Sequence, residues 1–180
     1  MYDLSNSRAE VAFNEVNNVG WYGTYVMSGL SATSVEPSEI LIHHNSIECA
    51  PGGTGIWIDD FLAFGGSVEG MSVKILQNEI TLDDPSCIGI FGFGAQEALL
   101  VRNTISGTGM AGIVTGVGET FYGIKDYVGN WKMVLNDLSD FTADVAAVWL
   151  GPGAHDCWGL FKGSSSIALD EGTNNRLYFI

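Results

Sequence analysis

Short apolar runs recur along the chain, each followed by an asparagine. They are "ILIHH" at 40–44, "VKILQ" at 73–77, "ALLVR" at 98–102 and "WKMVL" at 131–135. Their length and apolar content predict strands, and no window carries a long helical period. A second set lies downstream of the first five asparagines and opens on a small residue: "GTYVMSG" (23–29), "GIWIDD" (55–60), "GIFGFG" (89–94), "GIVTGVG" (112–118) and "AVWLGPG" (147–153). These too read as strands.

The asparagines mark an internal repeat. Asn14, Asn45, Asn78, Asn103, Asn136 and Asn175 each stand two places before Val, Ile or Leu, at gaps of 31, 33, 25, 33 and 39 residues. One unit is a strand, an Asn turn, a short strand, a loop and a Gly strand. Such a unit cannot bury its own apolar face, but stacked on a neighbour it can. Asn tolerates left-handed backbone angles and bonds neighbouring main chain. In a stack, its amide can also bond the equivalent Asn above and below. The aliphatic residue two places on then points inward beside it.

These Asn-x-(Ile/Val/Leu) turns and Gly-Ile strands resemble the right-handed parallel β-helix repeats of the pectate-lyase-like superfamily, from Ala12 to Leu177. The ending resembles the closing coils of such domains, through Asp170, Gly172 and Asn175. The resemblance implies an all-β, right-handed parallel β-helix solenoid of about six coils, filling residues 1–180 as a single domain. Parallel crossovers are right-handed as a rule. The repeat begins by residue 11. The expectation is therefore either the C-terminal part of a longer protein or an end covered by another subunit, hence a homo-oligomer.

Charge narrows the partners. With 7 basic against 21 acidic residues, a net of −14, the chain repels phosphate backbones and anionic membranes. No apolar run is long enough to span a membrane. The start "MYDLSNSRAE" has neither the basic nor the apolar segment of a signal peptide, while the family resemblance favours an extracellular or cell-surface setting. Three cysteines, Cys49, Cys87 and Cys157, form no CxxC and read as buried apolar thiols. No cofactor is expected, although carboxylates would suit Ca²⁺.

Fold does not imply function, so a site must be found. Superfamily members include polysaccharide lyases, glycosidases, epimerases and adhesins. A glycosidase needs two carboxylates and a lyase a base. The catalytic candidates are Asp59 and Asp60 in "WIDD" and His155 beside Asp156. Stacking the Gly strands sets Asp59 level with Phe93, not with another carboxylate, and "WIDD" reads more simply as a solvated turn. Basic residues lie scattered. The same stacking lines up Val26, Trp57, Phe91, Val114 and Trp149 in one outward row. Trp57, Phe91 and Trp149 are thus candidate binding residues. The segments 61–71 and 119–130 are apolar enough to cover that row. A non-catalytic module binding carbohydrate, a protein surface or itself is favoured. The alternative is a carbohydrate-active enzyme such as a polysaccharide lyase or glycoside hydrolase.

Overall fold

The computed structural model describes residues 8–27, 38–59, 71–94, 97–117, 128–163 and 168–180. Among these residues the regular elements are all strands: β1 (Arg8–Ala12), β2 (Glu15–Val19), β3 (Tyr22–Met27), β4 (Ser38–His43), β5 (Ser46–Cys49), β6 (Thr54–Asp59), β7 (Met71–Leu76), β8 (Glu79–Asp83), β9 (Ile88–Phe93), β10 (Glu97–Val101), β11 (Thr104–Thr115), β12 (Val128–Gly129), β13 (Lys132–Asp137), β14 (Phe141–Leu150), β15 (Ala154–His155), β16 (Trp158–Lys162), β17 (Ala168–Asp170) and β18 (Arg176–Phe179).

Every pairing between them is parallel. Column one runs β1–β4–β7–β10–β13–β16–β18. Column two runs β2–β5–β8, then the first parts of β11 and β14. Column three runs β3–β6–β9, then the later parts of β11 and β14, then β17. The chain visits the three columns in turn and returns to the first one level on, which we call a tier. The result is a curled, mostly parallel sheet whose strand order fits a β-helix. Its inward rows are aliphatic: Ile42, Ile75 and Leu100 in column one, Ile47, Ile80 and Ile105 in column two, and Ile56, Ile90 and Ile113 in column three, all at most 1% exposed. Each such side chain contributes about 1.5–3 kcal/mol of burial.

The asparagine ladder is present with five rungs. Asn14 Nδ2 donates to Asn45 Oδ1 at 2.9 Å, Asn45 to Asn78 at 2.9 Å, Asn78 to Asn103 at 3.0 Å and Asn103 to Asn136 at 2.9 Å. Each main-chain N–H of the same residue donates to the same oxygen, at 3.0–3.1 Å. Asn175 is not a sixth rung. The residue paired with Asn136 on the next tier is Phe161, fully buried. Asn175 sits at another corner, where its Oδ1 accepts from the Cys157 N–H at 2.9 Å and its Nδ2 donates to Asp170 at 2.8 Å.

The left-handed backbone also falls elsewhere than expected. It belongs to the residue before each rung: Phe13, His44, Gln77, Arg102 and Leu135, at φ between 52° and 57°. The rung asparagine is therefore chosen for its amide, not for its backbone freedom.

Gly strands owe their glycines to a close approach between columns. A Cβ on Gly55 would lie 2.7 Å from the Gly89 carbonyl oxygen and 2.7 Å from Ile80 Cγ2. On Gly89 it would lie 2.5 Å from the Gly112 oxygen and 2.9 Å from Ile105 Cδ1. The aliphatic residue two places after each of the last four rungs, Ile47, Ile80, Ile105 and Leu138, thus packs directly against a glycine of column three.

Candidate functional site

The outer row of column three is Tyr25–Trp57–Phe91–Val114–Trp149–Leu169. Tyr25, not Val26, pairs with Trp57. Val26 is 5% exposed and faces inward beside Ile58. The row is not uniformly open. Phe91 and Val114 are buried in a second apolar cluster that also takes in Trp57, Phe93 and Trp149. The segments expected to cover the row, 61–71 and 119–130, lie mostly outside the described residues. Trp149 Nε1 donates to Glu171 at 3.0 Å.

The end of the row in the first two tiers is open and aromatic. Trp57 lies 4.3 Å from Phe91 between ring centroids, and Tyr22 meets both Tyr25 and Trp57 at 5.0 Å. Trp21 continues the cluster 6.0 Å from Tyr22. Trp21 is 78% exposed and Tyr22 40%. Neither belonged to the outward row read from the sequence: Trp21 precedes β3 and Tyr22 is its first residue. The signal was the dense "GWYGTY" itself.

Beside this floor, Tyr25 Oη donates to Asp59 Oδ2 at 3.0 Å. Asp59 is 7% exposed, so it is not a solvated turn residue. Burial, then the Asp59 charge, pushes the Tyr25 phenol well above its usual range, which keeps it a proton donor to the carboxylate. Asp59 pairs across the sheet with Met27 and Phe93, so no carboxylate stands level with it on either neighbouring strand. Asp60 lies outside the described residues.

His155 belongs to a different place. It lies on β15, which pairs with β12, and its Nδ1 meets Asp156 Oδ2 at 3.0 Å. That contact, and one from Asn174 Nδ2, hold the Asp156 carboxyl below its ordinary range. A Cβ on Gly129 would lie 2.2 Å from the His155 ring, so the ring rests on that glycine. The arrangement describes a turn locked by local bonds.

Among the described residues, no group of three or more His, Cys, Asp or Glu side chains is placed to hold a metal ion. What the column-three site offers is a cluster of mutually tilted aromatic rings edged by a tyrosine–carboxylate pair. No family model, no curated protein and no solved structure matches this chain.

Proposed function

We propose that the chain is a right-handed parallel β-helix of about six coils, one for each 25–39-residue repeat, and that it is a non-catalytic module binding carbohydrate. The observation that carries the binding reading is the Trp21–Tyr22–Tyr25–Trp57 cluster on the outer face of column three. Aromatic rings offer apolar faces that stack on sugar rings, and the Tyr22 hydroxyl can bond their edges. A net charge of −14 favours neutral over anionic polymers.

Affinity electrophoresis through gels containing neutral polysaccharides, with tryptophan fluorescence as a second readout, tests the reading. Retardation by at least one polymer, lost in Trp21→Ala with the unfolding curve unchanged, is the expected result. A full panel without retardation or fluorescence change would overturn it. The Tyr25–Asp59 pair favours one second reading, a carbohydrate-active enzyme with Asp59 as its acid or base. Turnover of a polysaccharide that disappears in Asp59→Asn would establish that reading instead.

A further inference from the structure

The turn at the end of β4 carries two consecutive histidines. On the five tiers that bear a rung, the two residues before the asparagine are Ala12–Phe13, His43–His44, Leu76–Gln77, Val101–Arg102 and Val134–Leu135. The second tier alone puts an imidazole at both positions. Adjacent residues of a regular strand point to opposite faces and do not meet. Here the backbone turns left-handed at His44, at φ 52°, and the alternation breaks. The two rings come round to the same side, with Nδ1 of one 2.8 Å from Nδ1 of the other.

Neighbouring residues hold the pair. His43 lies on column one, level with Ala12 and Leu76 of the adjoining strands. Its second nitrogen, Nε2, meets Glu10 Oε1 of the first tier at 2.7 Å. Phe13 touches both rings, stacked on His44 at 17° and edge-on to His43 at 83°, with centroids 5.1 and 5.4 Å away. The His43 side chain is 14% exposed, whereas His44 is open to solvent.

This arrangement has the chemistry of a metal ligand set. A metal-bound imidazole as a rule donates its other ring N–H to a carboxylate, which fixes the ring and makes the bound nitrogen more basic. His43 and Glu10 stand in that relation. An ionised carboxylate only accepts, so His43 Nε2 carries the hydrogen of that bond and its Nδ1 bears the lone pair. The hydrogen between the two neutral rings then belongs to His44 Nδ1. Its transfer through solvent to Nε2 of the same ring frees both Nδ1 lone pairs, with no net loss of a proton.

The separation discriminates between metals. Bonds of about 2.0–2.1 Å from metal to imidazole set two nitrogens about 2.8–3.0 Å apart at a right angle and about 3.3–3.4 Å apart at the tetrahedral angle. The observed 2.8 Å matches the right angle, which is the preference of square-planar or tetragonal Cu(II) and Ni(II) rather than of Zn(II).

We infer that His43 and His44 form a two-nitrogen chelate for a divalent transition-metal ion of tetragonal preference, Cu(II) above all. Both Nδ1 atoms bind the ion, after a turn of the exposed His44 ring. Glu10 is a positioning residue, and water fills the remaining positions. A net charge of −14 favours the approach of a cation. Ca²⁺ is a poor occupant, because it takes oxygen ligands.

Titration of the whole chain with Cu(II) at neutral pH tests this, with free copper held low by a glycine buffer. Electron paramagnetic resonance reads the geometry and the number of bound imidazole nitrogens. The expected result is one Cu(II) per chain, tetragonal, with two imidazole nitrogens. Glu10→Ala is expected to weaken binding about tenfold or more with both nitrogens retained. His44→Gln is expected to weaken it further and to lose the two-nitrogen spectrum. Glutamine suits that position, since Gln77 occupies it one tier on at the same φ of 52°. Urea unfolding of the metal-free variants, unchanged from wild type for His44→Gln, separates ligand loss from misfolding. His155→Gln is expected to bind as the wild type does. Copper that stays with the glycine buffer overturns the inference. So does a spectrum with oxygen ligands only or with a single imidazole. Affinity unchanged in His44→Gln assigns the copper to adventitious sites and also overturns it, as does an equal loss in His155→Gln. Polysaccharide retardation, measured in the presence of a chelator, is a separate readout on column three.

Discussion

Replacing Asn78 with alanine removes the middle rung of the ladder, and its cost can be worked out bond by bond. The fully buried Asn78 side chain accepts from Asn45 N at 3.0 Å and Asn45 Nδ2 at 2.9 Å. It donates to Asn103 Oδ1 at 3.0 Å, Ile42 O at 3.1 Å and Leu76 O at 3.2 Å. After truncation, Asn45 Nδ2 keeps Val11 O and His43 O, and Asn103 Oδ1 keeps the Asn78 N–H. The Asn45 main-chain N–H is left without its acceptor, in a residue 2% exposed. One orphaned buried donor costs about 1–3 kcal/mol, and the lost amide bonds add about 1–2 kcal/mol more. The expected total is about 2–5 kcal/mol, a large share of a typical domain's stability. Asn14 is the control. It is exposed, and its loss leaves Asn45 Oδ1 still bonded by the residue-14 N–H at 3.1 Å, so Asn14→Ala should cost under about 1 kcal/mol. Urea unfolding followed by tryptophan fluorescence measures both, with the slope m checked for constancy. If the two variants agree within about 0.5 kcal/mol, the ladder does not act as a buried, fully bonded column and the reasoning fails.

Three further outcomes are expected. Gly89→Ala should destabilise by about 1–3 kcal/mol, because its Cβ meets main chain at 2.5 Å, whereas Gly20→Ala, with nothing within 4 Å, should not destabilise through contact; urea unfolding distinguishes them. Burial pushes the Cys49 thiol up to about 12 and Cys157 up to about 11, so both should resist thiol reagents at neutral pH until the chain unfolds, which the rate of chromophore release would show. The Tyr25 phenol is raised in the folded state, so it stabilises fully below the ordinary tyrosine pKa of about 10 and less as pH climbs above it. Stability measured from pH 8 to 11 should therefore fall at the alkaline end, and Tyr25→Phe should flatten that fall.

Much of the architecture was legible because the repeat writes interior positions at fixed offsets. The five rungs and the aliphatic residues two places after them were readable from spacing alone. Asn175 misled because its own neighbours, Asp170 and Gly172, build a similar-looking turn at a different corner. The outward row slipped by one residue in its first tier, where Val26 was set against Trp57. The Gly23–Gly55 contact fixes the true register, since a Cβ on Gly23 would lie 2.6 Å from the Gly55 carbonyl oxygen. Surface chemistry was harder to read. Lys74 and Lys132 each precede a rung by four residues, an offset that places them in one row, yet they lie 58 positions apart and look unrelated in sequence. Asp59 read as solvated because nothing in "WIDD" announces that Tyr25, 34 residues earlier, will cover it.

The glycine column has a consequence for how this protein can change. Where Gly55 and Gly89 admit Ile80 and Ile105, the columns touch across the interior. Along each strand, inward positions answer to packing, and outward ones are free of that demand except where, as at Phe91 and Val114, they are themselves buried. A substitution at an exposed outward position leaves the interior contacts as they are. An added or deleted repeat would lengthen or shorten the outer surface in steps of one strand spacing, about 4.8 Å, and leave the contact rules of the interior as they are.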